Sequence, residues 1–294
     1  MSGRGVSKML DRFLIATADG PGYEGNIKLA IEVKTFLGTN NKIAHLSGEI
    51  DVPNTHPDMV IAIGGDGTIM RAMKKYSQYD IPTFGINGGR LGFLAGAERD
   101  NWQDALKRIL ADKYVIEERL ALQFRFGNQV IGPVVNEVKV EHPTEVMFYQ
   151  VQINNLVFWH ALEAYGVFVG TATGSNAEHF SSHGQPIFPT SNDVSLTPKR
   201  RQGVGFDPFH FPEVSRGGSV TITPLGGAHG ATEVPVIADG MKYENDGALL
   251  QVGESIVITR AEKPMLLTTF GLEQFFSALE EKKGYPLSRN KCST

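Results

Sequence analysis

"DMVIAIGGDGTIMRAMKKY", residues 58–76, runs apolar through Ile63 and then breaks at Gly64-Gly65-Asp66-Gly67-Thr68. A short continuous apolar run ending in glycines is the pattern of a strand buried in a parallel sheet. The residues after the break, "MRAMKKY" (70–76), have helical spacing. The stretch therefore reads as strand, tight turn and helix. Glycines at such a turn let the backbone approach a ligand closely. Thr68 is placed to cap the helix, whose N-terminus favours anions. Together these features make a cradle for phosphate. Asp66 is the odd member, because a carboxylate beside polyphosphate is repelled unless a metal bridges it or it removes a proton. The other reading is a turn residue bonded to its own backbone. The string alone leaves both open.

The neighbouring segments extend the pattern. "RFLIATA" (12–18), "KIAHL" (42–46) and "IPTFGIN" (81–87) read as further strands. "GNIKLAIEVKTFLGTN" (25–40) reads as a helix with Ile27, Ala30, Ile31, Phe36 and Leu37 on its apolar face, ended by Gly38 and Asn40-Asn41. Residues 101–118 hold another, with Trp102, Ala105, Leu106, Ile109 and Leu110 aligned. Alternating strands and helices argue for an open parallel α/β sheet. From about residue 119 the chain turns to short, alternating, strand-like runs separated by Gly, Asn and Pro. It returns to a helical pattern at "LEQFFSALEEKKGYP" (272–286). The expected organisation is an N-terminal α/β domain over 1–118, a β-rich domain over 119–260, and a C-terminal segment, 261–294, that packs back on the first domain.

Bulk properties exclude several function classes. The 294 residues carry a net charge of −4, without the basic footprint of a nucleic-acid binder. The basic cluster Lys199-Arg200-Arg201 reads as a solvated loop. One cysteine, Cys292, excludes an internal disulfide or a cysteine metal cage. No apolar stretch reaches membrane-span length, so a soluble, cytoplasmic protein is expected.

Three more stretches carry chemistry. "GINGGRLGFLAG" (85–96) is a second glycine-rich loop, and in an open α/β sheet it falls at the same carboxyl edge as the first, where ligands bind. "VVNEV" (134–138) places Asn136 and Glu137 inside an apolar strand, which is costly unless they are paired. "GTATGSNAEHFSSHGQPIFP" (170–189) is a loop of small and hydroxyl residues before a short helix. His179 and His183 lie four apart there, the spacing of metal ligands on a helix, but no clear third ligand is near and they read as surface polarity.

In this order, GGDGT, "GINGGRLGFL", "EERLAL", "NEV", "TATGSNA" and "ADG" resemble the NAD kinases over nearly the whole chain, most strongly over 57–120. The resemblance implies phosphoryl transfer from ATP or polyphosphate to the 2′-hydroxyl of the adenosine ribose of NAD. It also implies a requirement for Mg²⁺ or another divalent cation, and a homodimer or homotetramer. It makes Asp66 the general base. It gives Gly64, Gly65, Gly67, Thr68, Asn87 and Gly88 to phosphate and nucleotide binding. It gives Asn136, Glu137, Thr173, Asn176, Ala177, Ser181 and Asp239 to the dinucleotide. The chain departs from the family's pattern at Tyr165-Gly166, where an Asp-Gly pair is usual, and at Ala172, where the family has proline. Asn176-Ala177-Glu178 replaces Thr-Ala-Tyr, and Asp207-Pro208 stands for Arg-Pro. These departures fall on the acceptor side. Two alternatives therefore stay open: a kinase of this fold acting on a lipid or nucleoside hydroxyl, and a catalytically weak dinucleotide sensor.

Overall fold

Apolar strands that end in glycine need both faces covered, and the chain supplies helices for that purpose. A computed structural model describes residues 10–18, 24–88, 92–181, 185–199, 209–211, 214–242 and 249–283. These fall into two compact units, one formed by residues up to 118 together with those from 265, the other by residues 119–264.

The first unit is built from β1 (Arg12–Thr17), α1 (Glu24–Thr39), β2 (Ile43–Leu46), α2 (Val52–Thr55), β3 (Met59–Gly64), α3 (Asp66–Tyr76), β4 (Thr83–Asn87), β5 (Ala95–Glu98), α4 (Trp102–Leu110) and β6 (Val115–Arg119). The strand order is β2-β1-β3-β4, and β5 pairs in parallel with β4. β1, β2, β3 and β4 are also parallel. Phe13, Ile15, Met59, Ile61, Ile63, Phe84 and Ile86 of the strands join Leu29, Val33 and Leu37 of α1 and Leu106 of α4 in one core. Each such fully buried side chain contributes about 1.5–3 kcal/mol. The covered face of α1 differs from the expected one: Ile27 and Ile31 are exposed, and the buried stripe is Leu29, Ala30, Val33 and Leu37. All six contribute to one broad apolar band, and only the part facing the sheet is buried.

The second unit contains β7 (Leu122–Phe126), β8 (Gln129–Val134), β9 (Glu137–Glu141), β10 (Met147–Ile153), β11 (Leu156–Ala164), β12 (Gly166–Gly170), α5 (Glu178–Ser181), β13 (Val194–Lys199), β14 (Phe209–Phe211), β15 (Ser219–Gly227), β16 (Glu233–Ala238), β17 (Met241–Lys242), β18 (Leu249–Gln251) and β19 (Ile256–Arg260). Two antiparallel sheets, β11-β10-β15-β19-β7-β8 and β14-β13-β12-β9-β16-β17, share one apolar core. Alternation decides which residues enter it: Val138 and Val140 of β9 point into the core, and Glu137, Lys139 and Glu141 point to the opposite face. The chain then returns to the first unit with β20 (Met265–Thr269), which joins the parallel sheet between β4 and β6, and with α6 (Leu272–Lys283).

Asn136 and Glu137 do not lie inside one strand. β8 ends at Val134 and β9 begins at Glu137, so Asn136 sits in the connection. Apolar neighbours on both sides gave the pair a strand-like pattern that the backbone breaks.

Candidate functional site

The parallel register brings together the predicted residues of the first unit. Gly64 pairs with Asn87, which places the ends of β3 and β4 side by side at the carboxyl edge of the sheet. The two glycine-rich loops therefore start together, and the Gly88 N–H donates to the Gly64 carbonyl at 3.1 Å. The centre of the second loop, residues 89–91, lies outside the described residues.

The helix after GGDGT starts earlier than its spacing implies. Gly65 has extended backbone and is the N-cap, and the N–H groups of Thr68 and Ile69 donate to its carbonyl at 2.9 and 3.2 Å. Thr68 is therefore not the cap. It lies in the first turn, buried, and its hydroxyl accepts from Arg71 at 3.2 Å. Gly64, just before the cap, packs closely on the first turn: a Cβ there would stand 2.6 Å from the Thr68 hydroxyl. Asp66 becomes the first residue of α3, half-buried at the positive end of the helix dipole. One carboxylate oxygen accepts the Phe93 N–H at 2.9 Å and the other the Leu94 N–H at 3.0 Å. Asp66 thus joins the two loops, and both oxygens have a defined direction. Asn87 is buried and donates to Glu98 at 2.7 Å. Gly67 is exposed and Gly65 half-buried at the same edge.

The second unit holds the other half of the predicted residues. Glu137, at 2% exposure, opens β9 on its polar face. Its Oε2 is buried without a hydrogen-bond partner, and so is Oδ1 of Asn176 in the short turn Gly174–Asn176. Burial, followed by the charges of Asp239 and Glu178 and opposed by Lys139, pushes the Glu137 carboxyl up to about 8. The 171–177 segment is built onto Asn136: the Thr171 N–H donates to the Asn136 carbonyl at 2.8 Å, and the Thr171 hydroxyl donates to the Val135 carbonyl at 2.6 Å. Gly174 passes so close that a Cβ there would lie 2.1 Å from the Asn136 carbonyl oxygen. Thr173 is buried and its hydroxyl accepts from Arg119 at 3.3 Å. Ala177 is half-buried beside it, and Ser181 closes α5.

Asp239 and Gly240 form the two-residue turn between β16 and β17, both at positive φ, as a tight hairpin requires. The Asp239 carboxylate accepts the Asn136 N–H at 2.7 Å and the Val135 N–H at 3.1 Å. It fixes the backbone that presents Asn136 and Glu137.

His179 is fully buried with Nε2 2.7 Å from the Ser195 hydroxyl and 2.5 Å from that of Thr197. Those contacts tie α5 to β13, and the surface-polarity reading of this histidine does not hold. Among the described residues no three His, Cys, Asp or Glu side chains gather as metal ligands. His183 and Arg200-Arg201 lie outside the described residues, as does Asp207-Pro208, while Lys199 bonds Glu141. Lys139 was missed from the sequence, although "EVKVE" (137–141) alternates charge with valine and so places three ionisable groups on one face. Among the described residues no helix is long and apolar enough to cross a membrane.

Comparison with known proteins bears on the family and the fold. Residues 24–114 match the profile of the ATP-NAD kinase N-terminal domain. The chain is 31% identical to a NAD kinase of Thiobacillus denitrificans, covering 92% of this chain and 94% of that protein. It is 30% identical to a NAD kinase of Sulfurimonas denitrificans, with 76% of each covered. Two solved structures share the fold. A NAD kinase from Archaeoglobus fulgidus in complex with ATP superposes with a TM-score of 0.68 at 21% identity, covering 91% of this chain and 96% of that one. Yeast NADH kinase complexed with NADH superposes with a TM-score of 0.75 at 17% identity, covering 96% of this chain and 89% of that one.

Proposed function

This chain belongs to the NAD kinase family and is an enzyme that phosphorylates NAD, and from that premise we propose that ATP is its donor, the 2′-hydroxyl of the adenosine ribose its acceptor atom, and Asp66 its general base. The observation that carries the proposal is the Asp66 carboxylate, aimed by two backbone amides at the edge where both glycine-rich loops begin. An ionised carboxylate is an acceptor and can take a proton. Phosphoryl transfer asks for little else from the protein than positioning and charge neutralisation. The positive N-terminal end of α3 favours the phosphate charge and would supply part of that neutralisation.

Asn136, Glu137, Thr173, Asn176, Ala177, Ser181 and Asp239 are proposed for the dinucleotide, in two ways. Glu137 and Asn176 carry buried polar atoms that lack partners, a cost of about 1–3 kcal/mol each that a ligand's hydrogen bonds would relieve. Asp239 acts through the Asn136 backbone. Mg²⁺ suits a site of this kind. It usually keeps several waters and binds through one or two carboxylates plus substrate phosphates, so a dedicated cage is not needed. When bound it would neutralise phosphate charge at the cradle.

We also propose a homodimer or homotetramer working in the cytoplasm. The exposed side chains of Leu156, Val157 and Phe158 on the edge strand β11 support association. The test of the activity is incubation with NAD, ATP and Mg²⁺, followed by detection of NADP with an NADP-specific dehydrogenase. Folded protein that binds NAD and forms no NADP would favour the sensor instead.

A further inference from the structure

The polar face of β9 holds a charge arrangement that the reaction as proposed does not use. Lys139 stands between Glu137 and Glu141 on that face, and its side chain is 8% exposed. Its ammonium bonds Oε2 of Glu178 at 2.5 Å, lies 3.4 Å from Oε2 of Glu141, and rests 5.3 Å from the centre of the Phe168 ring. A buried ammonium is costly unless it is paired and hydrogen-bonded, so Lys139 holds Glu178 firmly. Glu178 is the first residue of α5 and follows Asn176 and Ala177 directly. Its side chain remains 38% exposed, so the carboxylate is anchored on one side and open on the other.

We propose that Lys139 is a positioning residue and Glu178 a specificity-determining residue for the acceptor. The ion pair fixes the turn carrying Asn176 and Ala177 over β9. It presents the open side of the Glu178 carboxylate as a hydrogen-bond acceptor to a hydroxyl- or amine-bearing edge of the dinucleotide. The inference rests on the reading of 136–137 and 173–177 as dinucleotide contacts.

The same geometry gives a second readout. Glu137 is faced by Asp239 from the β16–β17 turn, Glu178 from α5 and Lys139 from its own strand. Removing the Glu178 charge lets Glu137 ionise at lower pH. A pair that merely braced the fold would change stability without raising the KM for NAD.

The experiment compares wild type, Glu178→Gln and the double variant Lys139→Met/Glu178→Gln. The double variant is included because Lys139→Met alone leaves the Glu178 carboxylate without the cation that holds it. NAD binding is measured by calorimetry, and initial rates are measured with saturating ATP and Mg²⁺ from pH 6 to 9. For Glu178→Gln the expected result is a KM for NAD raised about tenfold with kcat within about twofold. The alkaline change in that KM should also move to lower pH. The double variant should show at least the same rise in KM. Folded variants with wild-type KM and pH profile, or with kcat lost at unchanged KM, overturn the inference while leaving the NAD kinase reading intact. A folded wild type that binds no NAD overturns that reading, and the inference with it.

Discussion

Replacing Asp66 by asparagine separates the two jobs its carboxylate performs. The structural job is to accept the N–H groups of Phe93 and Leu94 at 2.9 and 3.0 Å. Asparagine keeps one acceptor oxygen and turns an NH₂ toward the other amide, so one of the two bonds is lost. A hydrogen bond to a charged group is worth about 1.5–3 kcal/mol, which sets the expected loss of stability. For a chain of this size that lowers the melting temperature by about 2–4 °C per kcal/mol. The chemical job is proton removal, and the amide cannot do it. General-base loss predicts turnover lower by about 10²–10⁴-fold. The KM for ATP should change little, because the backbone donors of the glycine loops remain. The assay is NADP formation at saturating NAD and ATP, run beside a thermal melt. Turnover within about threefold of wild type, with the fold intact, would refute the base assignment. A fall in melting temperature without loss of turnover would leave Asp66 as a staple between the loops.

Four further outcomes follow from the same geometry. Gly174→Ala sets a Cβ against the Asn136 carbonyl, a backbone atom that cannot yield, and should cost about 1–3 kcal/mol in urea unfolding and weaken NAD binding. Asp239→Ala removes the clamp on the Val135 and Asn136 amides and should raise the KM for NAD by about tenfold with smaller change in kcat, measured by initial rates. Glu137 is held at about 8 in the folded protein against an ordinary 4.5, so the folded state keeps a proton that the unfolded state has released. Its contribution is therefore complete below about 4.5 and is lost as pH rises to about 8, and Glu137→Gln should flatten that decline in denaturant titrations at pH 5 and 8. Chelation of divalent cations should abolish turnover while leaving the melting temperature unchanged, because no described cluster of side chains needs a metal to fold.

The α/β unit was legible because its signals are local. An apolar run ending at Gly64, a second ending at Asn87 and the alternation of strands with helices fix which loops share an edge. The role of Asp66 as a link between loops was not legible, since its partners are backbone amides 27 and 28 residues away that no side-chain pattern announces. Thr68 looked like a cap because hydroxyl residues favour that position, but the helix begins at Asp66 and the cap falls on Gly65. In the β unit, the valines of "EVKVE" marked the core face plainly. Which carboxylate would meet Lys139 depended on how the 171–181 segment folds back over β9, and spacing along the chain does not encode that. Asp239 was found as a candidate by resemblance, yet its contacts are those of a brace.

The central claim is phosphoryl transfer to NAD, and following the γ-phosphate of labelled ATP tests it most directly. With NAD and Mg²⁺ present, the account predicts that the label appears on the 2′-oxygen of the adenosine ribose, located by phosphorus NMR of the purified product. Label recovered only as free phosphate, or on a lipid or nucleoside in preference to NAD, would contradict it.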